Sequence, residues 1–501
     1  MKILMLYPKI PETFWSFKHA IKFVSRKANT PPLGLVTIAA MLPAEWQIKL
    51  VDLNIEDLQQ ADIGWADMVF VSAMAVQRTS VNELIQRCKN LGKTIVAGGP
   101  LFTQEYQEFP LVDHFVLNEA EITLPQFLED LSANQLKRVY STPDYADIHS
   151  TPIPRWDLLR LSDYEDMSVQ FSRGCPYDCD FCNVTALLGH RPRTKTAEQL
   201  IAELDALYQL GWRRNIFLVD DNFIGNKKIL KREILPALIE WRKGKSGFQF
   251  TTECSINLSD DAELLSLLTQ AGFSAVFIGI ETPEEESLIE CNKKQNLNRD
   301  LLASIRRIQQ AGLQVMAGFI VGFDSDTPNI FQRQIDFIQQ SGIVAAMVGL
   351  LQAPFGTRLH KRMEEEGRLI QEISGDNTDG TTNIIPKLDP TILQNGYRYI
   401  LQSIYTPKNY YERVKTFLTH FQPSGNEVMI RINEIMAFFR SIWRIGILGP
   451  ERRYYWNLIF WTIAHYPRKF AMAITMAIYG YHFRIISEQA INRPELQPQA
   501  G

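Results

Sequence analysis

The eight residues Cys175-Pro-Tyr-Asp-Cys179-Asp-Phe-Cys182 constrain this chain more than any other stretch. They set three thiols in C-x3-C-x2-C spacing directly after the apolar run Met167-Ser-Val-Gln-Phe171. Half of the six cysteines lie here. A structural zinc site closes its tetrahedron with four protein ligands, but no fourth cysteine is near and only His190 follows closely. Three thiolates on one loop therefore suggest an iron-sulfur cluster with one iron left open. A cluster meant only for electron transfer is usually ligated by cysteine at every corner, so something other than the protein must bind the open iron.

The loop resembles that of the radical S-adenosylmethionine (SAM) enzymes, and the aromatic Phe181 just before the third cysteine fits as well. The resemblance implies that Cys175, Cys179 and Cys182 hold a [4Fe-4S] cluster and that SAM chelates the open iron. It further implies that Phe181 lies against the adenine, a place that suits a flat apolar ring, and that Asn183 is among the residues binding SAM. The plain alternative is a zinc loop or three incidental thiols.

At 501 residues the chain is long enough for two or three domains, and 46% apolar with 22% charged residues allows a large core. The net charge of −4 argues against a nucleic-acid partner, yet it is unevenly spread. From Leu401 onward twelve Lys and Arg stand against six Asp and Glu, so this tail carries +6 and the remainder −10. Three cysteines needed as thiolates point to a reducing compartment, the cytoplasm. The opening run, Ile3 to Tyr7, is too short for a signal peptide and reads as a first strand.

Further short apolar runs follow at Ile48 to Leu53, Met68 to Ser72, Thr94 to Ala97 and His114 to Leu117, with helix-period stretches such as Val81 to Asn90 between them. This alternation predicts a doubly wound, flavodoxin- or Rossmann-like parallel sheet over residues 1–140. Such sheets bind ligands beyond the carboxyl ends of their strands. The residues there are Pro8, Asp52, Ser72-Ala-Met74, Gly98-Gly99 and Asn118-Glu119, while Asn29-Thr30-Pro31-Pro-Leu-Gly34 forms a stiff loop opening a helix. Together they resemble the cobalamin-binding domain that precedes many radical SAM domains. That assigns Pro8, Thr30, Pro31, Gly34, Asp52, Ser72, Met74, Gly98, Gly99 and Glu119 to cobalamin. The usual Asp-x-His-x-x-Gly signature is absent, and neither His19 nor His114 has its setting. The expectation is therefore cobalamin bound without a protein imidazole on cobalt.

A linker is predicted over residues 141–166, where Pro143, Pro152 and Pro154 remove donors and fix φ. Strands at 167–171, 215–219, 249–253, 275–280, 315–321 and 345–351 then resemble the partial (β/α)6 barrel of radical SAM domains, predicted over 167–388, with its chemistry at the strand carboxyl ends. The polar residues there are Asp220-Asp221-Asn222, Glu253 and Glu281. Asp221, Glu253 and Glu281 are candidates to hold the SAM amino group or ribose; helix capping explains each equally well. Gly318, in Gly318-Phe-Ile-Val-Gly322, resembles the strand that passes the adenine. The basic stretch Gly189-His-Arg-Pro-Arg-Thr-Lys195 could face SAM or cobalamin, or only water. Cys88 and Cys291 read as structural, and Cys254 at a strand end is a weaker functional candidate.

From Asp389 to residue 490 the chain reads as aromatic-rich helices around Ile435–Trp443, Tyr454–Trp461 and Phe470–Tyr479. No stretch between charges reaches the roughly 18 to 20 residues of a membrane span. Arg440, Arg444, Arg452, Arg453, Arg468 and Lys469 interleave with Trp and Tyr, which suits peripheral contact with anionic headgroups at the inner face of a membrane. The alternative is a packed bundle closing the barrel. Residues 491–501 read as disordered.

The whole layout resembles the cobalamin-binding radical SAM proteins with a helical C-terminal extension, a group that includes the hopanoid methylases. It implies a methyltransferase acting on an unactivated carbon of an apolar substrate, through a 5′-deoxyadenosyl radical and methylcobalamin, with an external flavodoxin- or ferredoxin-type electron donor. Two alternatives remain: a cyclase or oxidoreductase using cobalamin without methyl transfer, and a non-catalytic module sensing cobalamin or redox state.

Overall fold

The first apolar runs become strands because both of their faces are covered. In β1 (Lys2–Tyr7) Ile3, Leu4, Met5 and Leu6 are fully buried. Leu4 and Leu6 feed one core with Val69, Val71 and Ile95; Ile3 and Met5 feed another with Met68, Phe70 and Val96. A strand buried on both faces belongs inside a parallel sheet. The computed structural model, which describes residues 1–370, 373–423 and 432–492, places it there. β1 is joined by β2 (Gln47–Asp52), β3 (Met68–Ser72), β4 (Thr94–Gly98), β5 (His114–Val116) and β6 (Val139–Tyr140), in the order β2-β1-β3-β4-β5-β6. All pairs are parallel, with Ile3 against both Ile48 and Met68. The order reverses between β1 and β3, where sheets of this kind open a crevice beyond their strand ends.

A second six-stranded sheet begins with β7 (Met167–Val169). The short antiparallel pair β8 (Ser172–Arg173) and β9 (Arg193–Thr194) brackets the cysteine loop. β10 (Asn215–Leu218), β11 (Gln249–Glu253), β12 (Phe273–Glu281), β13 (Gln314–Val321) and β14 (Ala346–Leu350) then follow β7 side by side, all parallel, as the partial barrel. Phe277, Met347 and the Cβ position of Gly318 meet on its inner face.

The lower, amino-terminal end of the barrel is sealed from two directions. Helices Pro390–Ile404, Pro407–His420 and Phe470–Ile491 pack against it: Tyr405 Oη donates to Ala346 O at 2.6 Å, and Tyr410 Oη to Met476 O at 2.6 Å. From the N-terminal part, Phe14 stacks on Phe483 at 4.2 Å, and Trp15 Nε1 donates to Met347 Sδ at 2.9 Å. His482 Nε2 bonds Phe14 O at 2.9 Å, and burial pushes this imidazole down to about 4, so it is a neutral donor. No helix among the described residues is long and apolar enough to cross a membrane. The disorder expected for 491–501 lies outside the described residues from 493 on, and Ile491 is the last residue of a helix.

Candidate cofactor site

The cysteine loop leaves β8 through Gly174, whose φ of +92° is in the left-handed region and whose Cβ position is closed off by the carbonyls of Leu188, Gly189 and Arg191. Only glycine fits there. Cys175 N donates to Gly189 O at 3.2 Å, Asp180 N to Cys291 O at 3.0 Å, and Asn292 Nδ2 to Asp178 O at 2.6 Å. The loop is thus held at both ends, with Cys175, Cys179 and Cys182 free and partly buried. Burial pushes all three thiols up, Cys182 to about 12, while Lys293 opposes the shift at each of them. Gln295 Nε2 approaches Cys179 Sγ at 3.7 Å.

Lys293 is the residue that sequence reasoning missed. Its ammonium is almost fully buried, pairs with Glu281 Oε1 at 2.6 Å and stands 5.9 Å from the Phe181 ring centroid. Glu281 itself has φ +65°, rare for a residue with a side chain, at a shift in register between β12 and β13. Strain of this kind persists where surrounding contacts enforce it: Asn296 Nδ2 holds the carbonyls of Gly279 and Ile280 at 3.1 and 3.0 Å, and Gln334 Nε2 holds Glu281 O at 3.1 Å. Lys293 follows the loop's second cysteine by more than a hundred positions, and Glu290-Cys-Asn-Lys carries no motif that would have flagged it.

The strand-end carboxylates do not cap helices, so that alternative is corrected. Asp220 accepts from the Ser172 N–H and hydroxyl and from Phe171 N, and Asp221 from Gly174 N at 3.3 Å. Asn222 Oδ1 accepts from Ser255 N at 3.2 Å. They tie the entry of the cysteine loop to β10 and β11. Burial raises Asp220 to about 7 and Glu253 to about 8, with the neighbouring Asp221 adding to both. Glu253 lies at the end of β11, half-buried, and its carboxylate has no hydrogen-bond partner among the described residues. Phe181 packs beside Phe323 and Cys291. Asn183 stands at the start of the helix Val184–Leu188. Gly318 sits mid-ladder between Gly279 and Met347, so its backbone is taken up by the sheet; what it supplies is room against the Phe277 ring.

At the first sheet the assigned residues divide. Asp52 is fully buried and accepts from Tyr164 Oη at 2.8 Å and from Asn54. Glu119 is buried between Arg173 and Arg193, at 3.2 and 2.8 Å. Their carboxylates are engaged in holding the two sheets together. Pro8 O receives Gln77 Nε2 at 2.6 Å. Gly98 is required because a Cβ would strike Val116 O, and Gly99 because its φ is +89°. Ser72 and Thr30 remain half-buried, Pro31 is buried, and Met74 and Gly34 are exposed, with nothing near the Gly34 Cβ position. The basic stretch is corrected too: Arg193 belongs to Glu119, buried Lys195 pairs with Glu203, and His190 is exposed beside Asp178. Cys254, Cys88 and Cys291 are buried with thiols pushed up by burial.

The two sheets present their strand carboxyl ends to each other. Besides Glu119 with Arg173 and Arg193, Thr151 Oγ1 bonds Glu121 at 2.7 Å, Gln104 Nε2 bonds Phe355 O at 3.1 Å, and Gly375 lies against Ala75 and Val76 just past β3. The strands that bracket the cysteine loop are thus tied, through Arg173 and Arg193, to the strand ends of the first sheet.

Residues 169–338 match the radical SAM superfamily, residues 21–128 the B12 binding domain, and residues 357–495 a domain of unknown function. The chain is 40% identical to an uncharacterised methyltransferase of Synechocystis sp. over 100% of this chain and 94% of that one. It is 34% identical to the hopanoid C-2 methylase of Rhodopseudomonas palustris over 91% and 88%. The chain belongs to the cobalamin-dependent radical SAM methyltransferase family. Its fold is shared with the radical SAM methyltransferase TsrM of Kitasatospora setae, solved with cobalamin and a [4Fe-4S] cluster bound, at a TM-score of 0.63 and 14% identity, over 92% of this chain and 99% of that one. Its cofactors are accordingly a [4Fe-4S] cluster, SAM and cobalamin, and its reaction takes a small-molecule substrate and an electron donor. The residues fit these groups. Three partly buried free thiols with a buried ammonium beside them suit an anionic thiolate-ligated cluster, and the bare Gly34 in the first turn of its helix and the exposed Met74 past β3 leave a large flat ligand room to approach.

Proposed function

We propose that this enzyme methylates an unactivated carbon of an apolar, lipid-like small molecule in the cytoplasm, drawing its electron from a flavodoxin- or ferredoxin-type donor and meeting its substrate by peripheral contact with a membrane. The observation that carries the reading is the opposition of the two strand ends across the Glu119, Arg173 and Arg193 cluster. Held there, the cluster with SAM would supply radical chemistry and cobalamin would supply a methyl group. In this reading Cys175, Cys179 and Cys182 hold the cluster, while Lys293 offsets thiolate charge and fixes Glu281. Phe181, Asn183, Asp221, Glu253, Glu281 and Gly318 surround SAM. Thr30, Pro31, Gly34, Ser72, Met74 and Gly99 border the corrin, which has no imidazole from His19 or His114 on cobalt. His19 supports this, being bonded to Glu12 at 3.1 Å and close to His482 in the lower seal.

The barrel's inner face around Phe277, Met316 and Met347 is apolar and closed from below by Trp15, which keeps water away from a radical formed above it. Hydrogen abstraction requires no general base, and none is assigned. The likeness to a hopanoid methylase supports an apolar substrate. We place the functional units at 1–140, 167–388 and 389–490, with 141–166 as linker. Anaerobic incubation of the reconstituted enzyme with cobalamin, methyl-labelled SAM and host lipid extract tests the proposal. Label should enter the lipid fraction together with deoxyadenosine release. Deoxyadenosine without label transfer would favour cyclisation or oxidation, and neither product would favour a sensor.

A further inference from the structure

We infer that the helices Ile432–Ser441 and Arg452–His465, with the turn joining them, form a docking face for an anionic lipid surface. The first of these helices carries two apolar stripes. One, with Ala437, Ser441 and Ile445, is buried against the rest of the molecule. The other, Ile432, Ile435, Met436, Phe439, Trp443 and Ile447, recurs every three or four residues and faces outward, with Phe439 58% and Trp443 59% exposed. The exposed surface continues over Leu448 to Phe460 and Ile463 of the second helix. A surface helix normally buries one stripe and keeps its other face polar. A contiguous apolar patch in the open marks a site of interaction.

Charge selects the occupant. Arg444, Arg452, Arg453 and Arg468 are exposed on the same helices and at their ends, against one exposed acid, Glu434, while Glu451 is buried and paired with Arg484. An isologous contact with a second copy would press two faces carrying the same exposed arginines against each other, like charge against like. An anionic headgroup layer would instead neutralise them while the apolar side chains enter the acyl boundary. The tail from Leu401 carries +6 and the remainder −10, so the same surface repels the rest of the molecule and turns this face toward it. The helices would lie in the interface rather than cross it. This gives the apolar substrate of the proposed function a place to be met, and it rests on that reading only for its purpose.

The test sediments the full-length protein with vesicles of phosphatidylcholine alone, or of phosphatidylcholine mixed with phosphatidylglycerol, at low and high salt. Binding is expected to the mixed vesicles at low salt. It should weaken by about tenfold or more at high salt and in Arg452→Glu/Arg453→Glu, and by at least as much in Phe439→Ser/Trp443→Ser. All four side chains are exposed, so thermal unfolding should be unchanged. Should a variant misfold, quenching by brominated lipid of part of the tryptophan fluorescence of the unaltered protein, in which Trp443 is 59% exposed, gives an independent reading. No sedimentation with either vesicle, or binding and quenching indifferent to both pairs of substitutions, would overturn the inference. A concentration-dependent dimer abolished by Phe439→Ser/Trp443→Ser, without vesicle binding, would overturn it in favour of a second copy. None of these readouts depends on turnover, so failure of methyl transfer leaves them intact.

Discussion

The two ends of the barrel solve opposite problems. At the upper end polar groups are kept out of water: Asp220, Glu253 and Asp326 are pushed up to about 7, 8 and 6 by burial, and Lys293 meets Glu281 with both nearly covered. At the lower end Phe14 on Phe483, the Trp15 indole on Met347 and the buried rings of Tyr405 and Tyr410 form a dry seal. Asp166 is the exception below, raised to about 7 beside Glu165. Burying charged groups costs stability even where they are paired, as Asp220 is with Ser172 and Lys293 with Glu281, whereas aromatic packing contributes it. The difference teaches that the closed end stabilises an arrangement the open end would otherwise strain.

The largest break in that comparison comes from the thiols. Replacing Cys175, Cys179 or Cys182 by Ala should abolish deoxyadenosine release while leaving apo-protein unfolding nearly unchanged, because each thiol is only partly buried and contributes little to packing. Iron content and SAM cleavage measured on the same preparation check this. A triple variant that still released deoxyadenosine would remove the cluster assignment.

Next is Lys293→Met, which leaves the Glu281 carboxylate buried without its partner. Losing one member of a buried pair costs about 3 to 5 kcal/mol. The double variant Lys293→Met/Glu281→Gln should recover much of that loss, because the uncompensated charge is gone. Denaturant unfolding of the two singles and the double measures the coupling; simple additivity would show that the pair is not a unit. Phe14→Ala, at the other end, should cost about 3 kcal/mol through the cavity left beside Phe483. It should lower the unfolding midpoint without changing cluster assembly, and a loss of iron instead would mean the two ends are not separable.

Both sheets were legible because parallel strands buried on each face read as unbroken apolar runs, as in Ile3–Tyr7 and Val315–Val321. β6 was not placed, since Val139 and Tyr140 alone carry no periodicity. The cysteine loop, which lies inside the stretch that matches the radical SAM superfamily, was legible from its spacing. Lys293, Glu119 and Arg193 were not, because their roles arise from partners far away in the chain: Glu119 lies 74 positions from Arg193. The same distance misled the reading of Asp220, where a local cap was the nearest explanation and the actual partner, Ser172, is 48 positions upstream. The C-terminal aromatics were visible in sequence, but which of them stay uncovered depends on packing against Phe23 and the 470–491 helix, where Arg440 reaches Phe23 O at 2.6 Å.

The smallest expected effect concerns Glu253. Its folded carboxyl titrates at about 8 against an ordinary value of 4.5, chiefly through burial and then through Asp221 and Asp220. Between those values the folded state holds a proton that the unfolded chain has released, so the stability of the apo-protein falls as pH rises through that window. The slope is about 1.4 kcal/mol per pH unit for each such proton. Asp220 and Asp326 act in the same direction over shorter windows, ending at about 7 and 6. Glu253→Gln removes the titrating proton while keeping the shape, so it should flatten the decline between roughly pH 6 and 8. Urea unfolding of both proteins across that range measures the effect. Parallel pH curves would mean that Glu253 is ionised at neutral pH, and the contrast between the polar end and the sealed end would then rest on Asp220, Asp326 and the Lys293 and Glu281 pair.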